Sequence, residues 1–284
     1  MNLPQLQTHH GRYHLLQLDN PAKLAAGLGV DLGQVTNQSL LQKITSSIIT
    51  TAGKDISGLI LDHNLGLAAV TYKAQKVGVA LKLEESAEET NPIDVPKISE
   101  NWGISEIVNN YGVVKLELYY HPEEEKSLLK KQFVAEVFDY CRYQQVGLLL
   151  QLQLFSPVGE KITAEKFQEH QLTAAQELQR FCDVMALQSP LGALAAATLT
   201  AELDVPWLVS LEDIPYAQAK EQLREVMENG AQGCVAGSTL WQEMYQLRRR
   251  DKGVDETQVM QFISTVVRDR IIEISRIIGE QSVI

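Results

Sequence analysis

Short apolar segments recur along this chain, and a stretch of helical spacing follows most of them. They lie near residues 14–19, 58–62, 77–83, 113–120, 147–154, 183–188, 206–211 and 233–236. Several are apolar almost throughout, as in Leu59-Ile60-Leu61. Strands buried on both faces read this way, and parallel strands covered by helices are the usual place for them. Eight strand–helix units in 284 residues predict a single (β/α)8 barrel domain over residues 1–284. An open doubly wound sheet would use the same elements, but the first strand–helix turn lacks a Gly-x-Gly-x-x-Gly pattern, which disfavours a dinucleotide fold. Helices are expected over 37–51 with Gly53 as a stop, 98–110, 123–143, 163–180, 191–201, 214–229 with Gly230 as a stop, and from Ser238 to Arg250. Asn20-Pro21 reads as a break, and Ser86 to Pro96 as a long polar loop. A last amphipathic helix spans 255–279. Its apolar positions (Val259, Phe262, Val266, Ile271, Ile274, Ile277, Ile278) suit packing across the barrel or a homo-oligomer contact.

The fourth strand carries the strongest local signal. In Gly112–Pro122 (GVVKLELYYHP), β-branched and aromatic residues lie between a glycine and a proline. Strand side chains alternate, so Val113, Lys115, Glu117 and Tyr119 share one face while Val114, Leu116, Leu118 and Tyr120 share the other. The second set suits packing under a helix. The first set must face the barrel interior, where a cation and a carboxylate need partners. Lys115 and Glu117 then form either a structural ion pair or part of a site.

Composition narrows the partners. The formal charge of −11 argues against nucleic acid and anionic membrane surfaces. No apolar run is long enough to span a bilayer, and no signal peptide is read at the first residues. Cys141, Cys182 and Cys234 are widely separated and read as free thiols of a cytoplasmic protein. No metal or other cofactor is expected: His9, His10 and His14 sit in a flexible-looking start, and His63 and His121 follow different strands. The Glu123-Glu124-Glu125 run reads as a solvated helix face.

In such barrels chemistry belongs at the carboxyl ends of the strands. Those positions hold Asp19, Asp62, Glu84, Lys115, Glu117, Gln151, Gln153, Ala186, Gln188, Glu212, Asp213 and Ser238. This is an acid-rich mouth with one good cation, suited to a small polar metabolite. Asp19 and Asp62 serve equally well as helix N-caps.

Four runs in order resemble the tagatose-bisphosphate aldolase family. They are Leu59–Leu67 (LILDHNLGL), Val113–Pro122 (VVKLELYYHP), Asp183–Pro190 (DVMALQSP) and Gly230–Trp241 (GAQGCVAGSTLW). The resemblance covers roughly Leu15 to Trp241. It implies a class I aldolase barrel that cleaves a sugar bisphosphate through a Schiff-base lysine on the sixth strand, aided by a glutamate on the fifth. Aligned on Asp183-Val184 and Pro190, this chain has Ala186 at the lysine and Gln188 at the glutamate that follows it. Gln151 falls on the catalytic glutamate. The family's Asp-Gln-Arg becomes Asp19-Asn20-Pro21, its phosphate turn becomes Leu211-Glu212-Asp213, and its Gly-Arg becomes Gly237-Ser238. Ser238 is still expected at a helix N-terminus able to accept an anion.

Two expectations follow. In the first, the barrel has lost Schiff-base chemistry and acts as a binding, regulatory or assembly protein, with Asp19, Asp62, Gln151, Gln188 and Ser238 as binding groups. In the second, it is an active carbon–carbon lyase with Lys115 as a relocated Schiff-base lysine and Glu117 or Glu84 as proton shuttle.

Overall fold

The computed structural model describes residues 3–85, 93–156, 163–249 and 253–280. Eight parallel strands close into a barrel in sequence order. They are β1 (Tyr13–Leu18), β2 (Gly58–Leu61), β3 (Gly78–Lys82), β4 (Val113–Tyr120), β5 (Leu148–Leu154), β6 (Val184–Gln188), β7 (Trp207–Leu211) and β8 (Gly233–Ala236). Helices follow the strands in chain order, so the expected (β/α)8 barrel is the observed fold. The loop expected over 86–96 lies outside the described residues up to residue 92. No helix among the described residues is long and apolar enough to cross a membrane.

The chain packs as two compact units. One comprises Met1–Pro4, Lys82–Ser210 and Glu221–Val235; the other comprises Gln5–Leu81, Leu211–Lys220 and Ala236–Ile284. In the first unit, β4, β5, β6 and β7 run in parallel register, with Glu117 level with Gln151, Gln151 with Ala186 and Ala186 with Leu208. In the second, Leu16 is level with Leu59 and Ile60 with Ala80. Gly78 opens β3 where a Cβ would stand 1.9 Å from the Gln5 carbonyl oxygen, so only glycine lets the N-terminal segment cross there.

Local chemistry corrects several boundaries. Asn20-Pro21 follows the end of β1, as expected, and also starts helix α1 (Pro21–Leu28): the Asn20 side chain accepts from the Lys23 N–H, and proline fits the first helical turn, where its missing N–H costs nothing. Helix α2 (Val35–Ala52) stops at Gly53, whose N–H bonds the Ile49 carbonyl. A short helix α3 (Leu65–Ala68) follows β2. The helix expected over 98–110 shrinks to α4 (Ile104–Asn109), because Ile98 bridges Glu84 instead. Helix α5 (Ser127–Tyr143) starts after the Glu123–Glu125 run expected as its first turn, while α6 (Ala164–Leu178), α7 (Ala193–Glu202) and α8 (Tyr216–Glu228) match their expected places closely. At the end of α8, Gly230 takes φ +100° and the Ala231 N–H reaches back to Val226.

The acidic run before α5 is not a solvated face throughout. Glu124 and Lys130 are buried and paired at 2.8 Å, and Lys130 also donates to the Tyr119 carbonyl at 2.7 Å. The helix expected from Ser238 to Arg250 is instead two 3₁₀ stretches, Ser238–Leu240 and Gln242–Leu247, followed by a strand pair, β9 (Arg248–Arg249) with β10 (Gly253–Val254).

The C-terminal helix is split by a wide π turn, Ile263–Val267, between α9 (Glu256–Phe262) and α10 (Arg268–Glu280). The widened turn carries extra residues per rotation and shifts the phase of the helix. Ile263 and Val267 are therefore buried where Phe262 and Val266 were expected, together with Val259, Ile271, Ile274, Ile277 and Ile278. This apolar stripe is consumed by packing inside its own unit.

Candidate functional site

In the first unit, the strand alternation brings together the residues it was expected to. Lys115 has no solvent exposure. Its Nζ lies 3.5 Å from Glu84 Oε1 and 3.4 Å from Glu117 Oε2. A second buried cation, Lys82, stands 3.7 Å from the same Glu84 oxygen. Sequence reading missed Lys82 because it ends a strand whose apolar run hides it. The backbone holds this cluster in place: Glu84 bridges Ile98, the Glu85 N–H donates to Lys97, the Leu83 N–H donates to Lys115, and the Trp102 indole donates to the Lys82 carbonyl at 2.7 Å.

Burial pushes the Glu84 carboxyl up from the ordinary glutamate range. Lys115 and Lys82 pull it back down, and Glu117 adds to the rise. Two lysines and two carboxylates thus share this buried cluster, an arrangement in which each charge has an opposite one within reach.

The neighbouring amides take separate partners. Gln153 donates to Glu117 Oε1 at 3.3 Å, and Gln188 Oε1 accepts from the Leu154 N–H at 2.8 Å. Gln151, fully buried, donates to Ser210 Oγ at 3.3 Å. That bond runs from β5 to β7 past β6, where Ala186 presents only a methyl group. A bond that skips a strand must pass through the inner face, so Gln151 points inward.

In the second unit, Asp19, Asp62 and Ser238 line a cavity of about 30 Å³ with Gln17, Lys23, Glu212, Trp241 and Tyr245. That volume has room for about two waters. Asp62 caps the turn after β2, accepting from the Asn64, Leu65 and Gly66 N–H groups at 2.8, 2.9 and 2.7 Å. Burial raises its carboxyl, the three N–H groups oppose that rise, and Asp19 adds to it. Asp19 Oδ1 accepts from Gln17 Nε2 at 2.9 Å, while the cap of α1 is Asn20.

Ser238 does not open a helix able to receive an anion. It starts a three-residue 3₁₀ turn, and its hydroxyl donates to Asp213 Oδ1 at 2.8 Å while accepting from the Asp213 N–H at 3.3 Å. Asp213 adopts φ +56°, a left-handed conformation that aspartate tolerates better than most residues. Lys23 was absent from the sequence-based site because it follows the strand end by one helical turn. It pairs with Asp213 at 2.7 Å and Glu212 at 3.5 Å. Burial works against its charge, but the two carboxylates outweigh this and raise its pKa above the ordinary lysine value. The Glu212 carboxylate itself lies against Gly237, where a Cβ would stand 2.6 Å from its Oε1.

Among the described residues, no group of three or more His, Cys, Asp or Glu side chains is arranged to hold a metal ion.

No family model matches the chain, and no curated protein does. Solved structures do. An archaeal fructose 1,6-bisphosphate aldolase is 16% identical, with 94% of this chain and 98% of that one covered and a TM-score of 0.62. A Schiff-base-forming fructose-1,6-bisphosphate aldolase is 17% identical, with 93% and 96% covered and a TM-score of 0.64. A second archaeal structure, with its catalytic lysine covalently bound to the carbinolamine intermediate of its substrate, is 16% identical, with 96% and 98% covered and a TM-score of 0.65. At these identities the likeness is one of fold: a (β/α)8 barrel over nearly the whole chain.

Proposed function

We propose that this is an aldolase-like barrel that has lost Schiff-base turnover, a pseudoenzyme of the tagatose-bisphosphate aldolase type. In this reading residues 1–284 act as one barrel domain that binds a small polar metabolite in a regulatory or assembly role. One observation carries the reading: Lys115 is clasped by Glu84 and Glu117, while Ala186, at the position the resemblance gives to the nucleophile, is a buried methyl beside the Gln151–Ser210 bond. An ammonium held between carboxylates has no lone pair for carbonyl attack, and an amide at Gln151 is a poor proton carrier near neutral pH. The Lys23 cation is engaged by Glu212 and Asp213, which disfavours a phosphate there. Lys115, Glu84, Glu117, Gln151 and Gln188 are the binding groups of the first unit. Asp19, Asp62 and Ser238 are the polar groups of their own small cavity in the second. Buried free thiols at Cys141, Cys182 and Cys234 support a reducing, cytoplasmic setting.

The alternative is a carbon–carbon lyase with Lys115 as the amine and Glu84 or Glu117 as proton carrier. The raised Glu84 carboxyl beside a buried lysine favours it. In that case the amine adds to a substrate carbonyl and expels water to form an iminium, which borohydride reduces to a stable secondary amine. Incubation with dihydroxyacetone phosphate and borohydride, followed by intact and peptide mass analysis, separates the readings. No adduct is expected, and a reduced adduct on Lys115 overturns the pseudoenzyme reading.

A further inference from the structure

The turn between β4 and α5 is closed by a histidine where a shorter acceptor is usual. His121 opens the turn: the Glu124 N–H returns to the His121 carbonyl at 3.1 Å, and Pro122 stands second in it. The first residue of such a turn is commonly Asp, Asn or Ser, whose side chain can accept from the N–H two residues on. Here His121 Nδ1 takes that role, accepting from the Glu123 N–H at 3.2 Å. An accepting Nδ1 carries no proton, so the neutral ring holds its hydrogen on Nε2. A proton added at Nδ1 sets one donor against another and removes the closure.

The surroundings make that proton costly. His121 is 4% exposed, and its ring meets that of His170, on α6, edge to face with centroids 4.4 Å apart. His170 Nδ1 is buried with no hydrogen-bond partner among the described residues. Phe155 lies edge-on to His121 at 6.4 Å. Glu124 is already spent: its Oε1 accepts from the His121 N–H at 3.0 Å and its Oε2 holds Lys130 of α5 at 2.8 Å. Glu123 is 76% exposed, with Oε2 3.9 Å from His170 Nε2, so it favours charge on the pair only weakly. Burial and the neighbouring His170 lower the His121 pKa, against the pull of Glu123 and Glu124.

We infer that the His121–His170 contact is a proton-operated latch on the β4–α5 turn, shut while both rings are neutral and released when His121 takes a proton on Nδ1. Release frees the Glu123 N–H and disturbs Glu124. Through Lys130, Glu124 ties the turn to the Tyr119 carbonyl at 2.7 Å. Acid therefore loosens the rim of the barrel at the end of the strand that carries Lys115 and Glu117. An open turn returns His121 to the ordinary histidine pKa of about 6.5, and the closed turn holds it lower. The latch is thus fully engaged above about pH 6.5 and is lost as pH falls below it. This holds whether or not Lys115 is a nucleophile.

The test is amide hydrogen exchange on the full chain at about pH 7 and about pH 5, either side of the ordinary histidine pKa. Each rate is expressed relative to that of an unstructured chain at the same pH. Protection at Glu123, Glu124 and Ser127 is expected to fall severalfold at the lower pH. His121→Asn keeps an acceptor for the Glu123 N–H but does not titrate, so its protection there is expected to stay level. Reading the difference between the two proteins cancels acid effects elsewhere in the fold, His14 included. If the variant folds poorly by circular dichroism, spectra of ¹⁵N-histidine-labelled wild type serve instead. His121 is then expected as the Nε2–H tautomer near neutral pH, with the Glu123 amide shift following its titration. Turn protection in the wild type that ignores pH, an equal loss in His121→Asn, or an Nδ1–H tautomer near neutral pH each overturns the inference.

Discussion

Lys115 Nζ sits 3.5 Å from Glu84 Oε1, a contact between β4 and the bridged segment after β3 in which neither side chain is more than 5% exposed. Removing one partner of a buried pair strands the other charge. Lys115→Met is therefore expected to cost about 3–5 kcal/mol of unfolding free energy. Adding Glu84→Gln should recover part of the loss, since the carboxylate Lys115 neutralised is then gone. Denaturant titration of both single variants and the double variant gives the coupling. Additive losses would mean that the pair does not interact.

Ala186→Lys is expected to restore no turnover on tagatose 1,6-bisphosphate or fructose 1,6-bisphosphate, and the wild-type protein to show none. The new chain would enter the space beside the Gln151–Ser210 bond, with no carboxylate at Gln151 to move protons. Adding Gln151→Glu supplies that group and is the one combination expected to give weak activity. A coupled assay decides. Wild-type turnover that survives Lys115→Met would place the nucleophile elsewhere than on Ala186 or Lys115.

His14 predicts an acid-sensitive fold. It is buried in β1, and Nδ1 donates to the Asp55 carbonyl at 2.8 Å while Nε2 has no hydrogen-bond partner among the described residues. Burial lowers its pKa to about 4, against a smaller opposing effect of the Asp55 bond. The unfolded chain takes up its proton near pH 6.5 and the folded one only near 4. Stability from this group is thus full above pH 6.5, falls as pH drops toward 4, and is lost by about 3 kcal/mol below that. Glu84 and Asp62 work the other way, because their raised carboxyls take up protons more readily when folded. His14→Gln leaves those groups unchanged, so the difference between variant and wild type across pH 4–6.5 isolates His14. Parallel curves would refute the assignment.

Arg270 ties the C-terminal helix to the turn after β8. Its guanidinium is bidentate to Glu243 at 2.7 and 2.9 Å, donates to the Leu240 carbonyl at 3.0 Å, and lies over the Tyr216 ring at 4.6 Å. Arg270→Met should cost about 2 kcal/mol, the scale of a charge-assisted hydrogen bond lost with its stacking. Arg270→Lys should recover little, because an ammonium cannot make the bidentate fork. Hydrogen exchange should show faster exchange around 238–240 in both variants. Unchanged exchange there would confine Arg270 to holding α10.

Part of this protein could be read without coordinates. Apolar strand runs alternating with helices determine a parallel sheet covered on both faces; the count of eight units and the missing Gly-x-Gly-x-x-Gly turn pointed to a closed barrel rather than an open sheet. Period-two alternation placed Lys115 and Glu117 on one face, and Gly53 and Gly230 marked helix ends through their backbone freedom. Other features depended on long-range geometry. Lys82 and Glu84 meet Lys115 because β3 closes beside β4, with the Leu83 N–H on the Lys115 carbonyl. Glu124 and Lys130 leave solvent because the end of β4 offers a carbonyl to the lysine. Ser238 starts a 3₁₀ turn rather than the expected helix, and its hydroxyl is taken by Asp213, a residue one strand–helix unit earlier in the chain. Periodicity reports which face a side chain takes along its own element. Which distant groups share that face, and whether their charges are spent on one another, is decided only when the chain closes on itself.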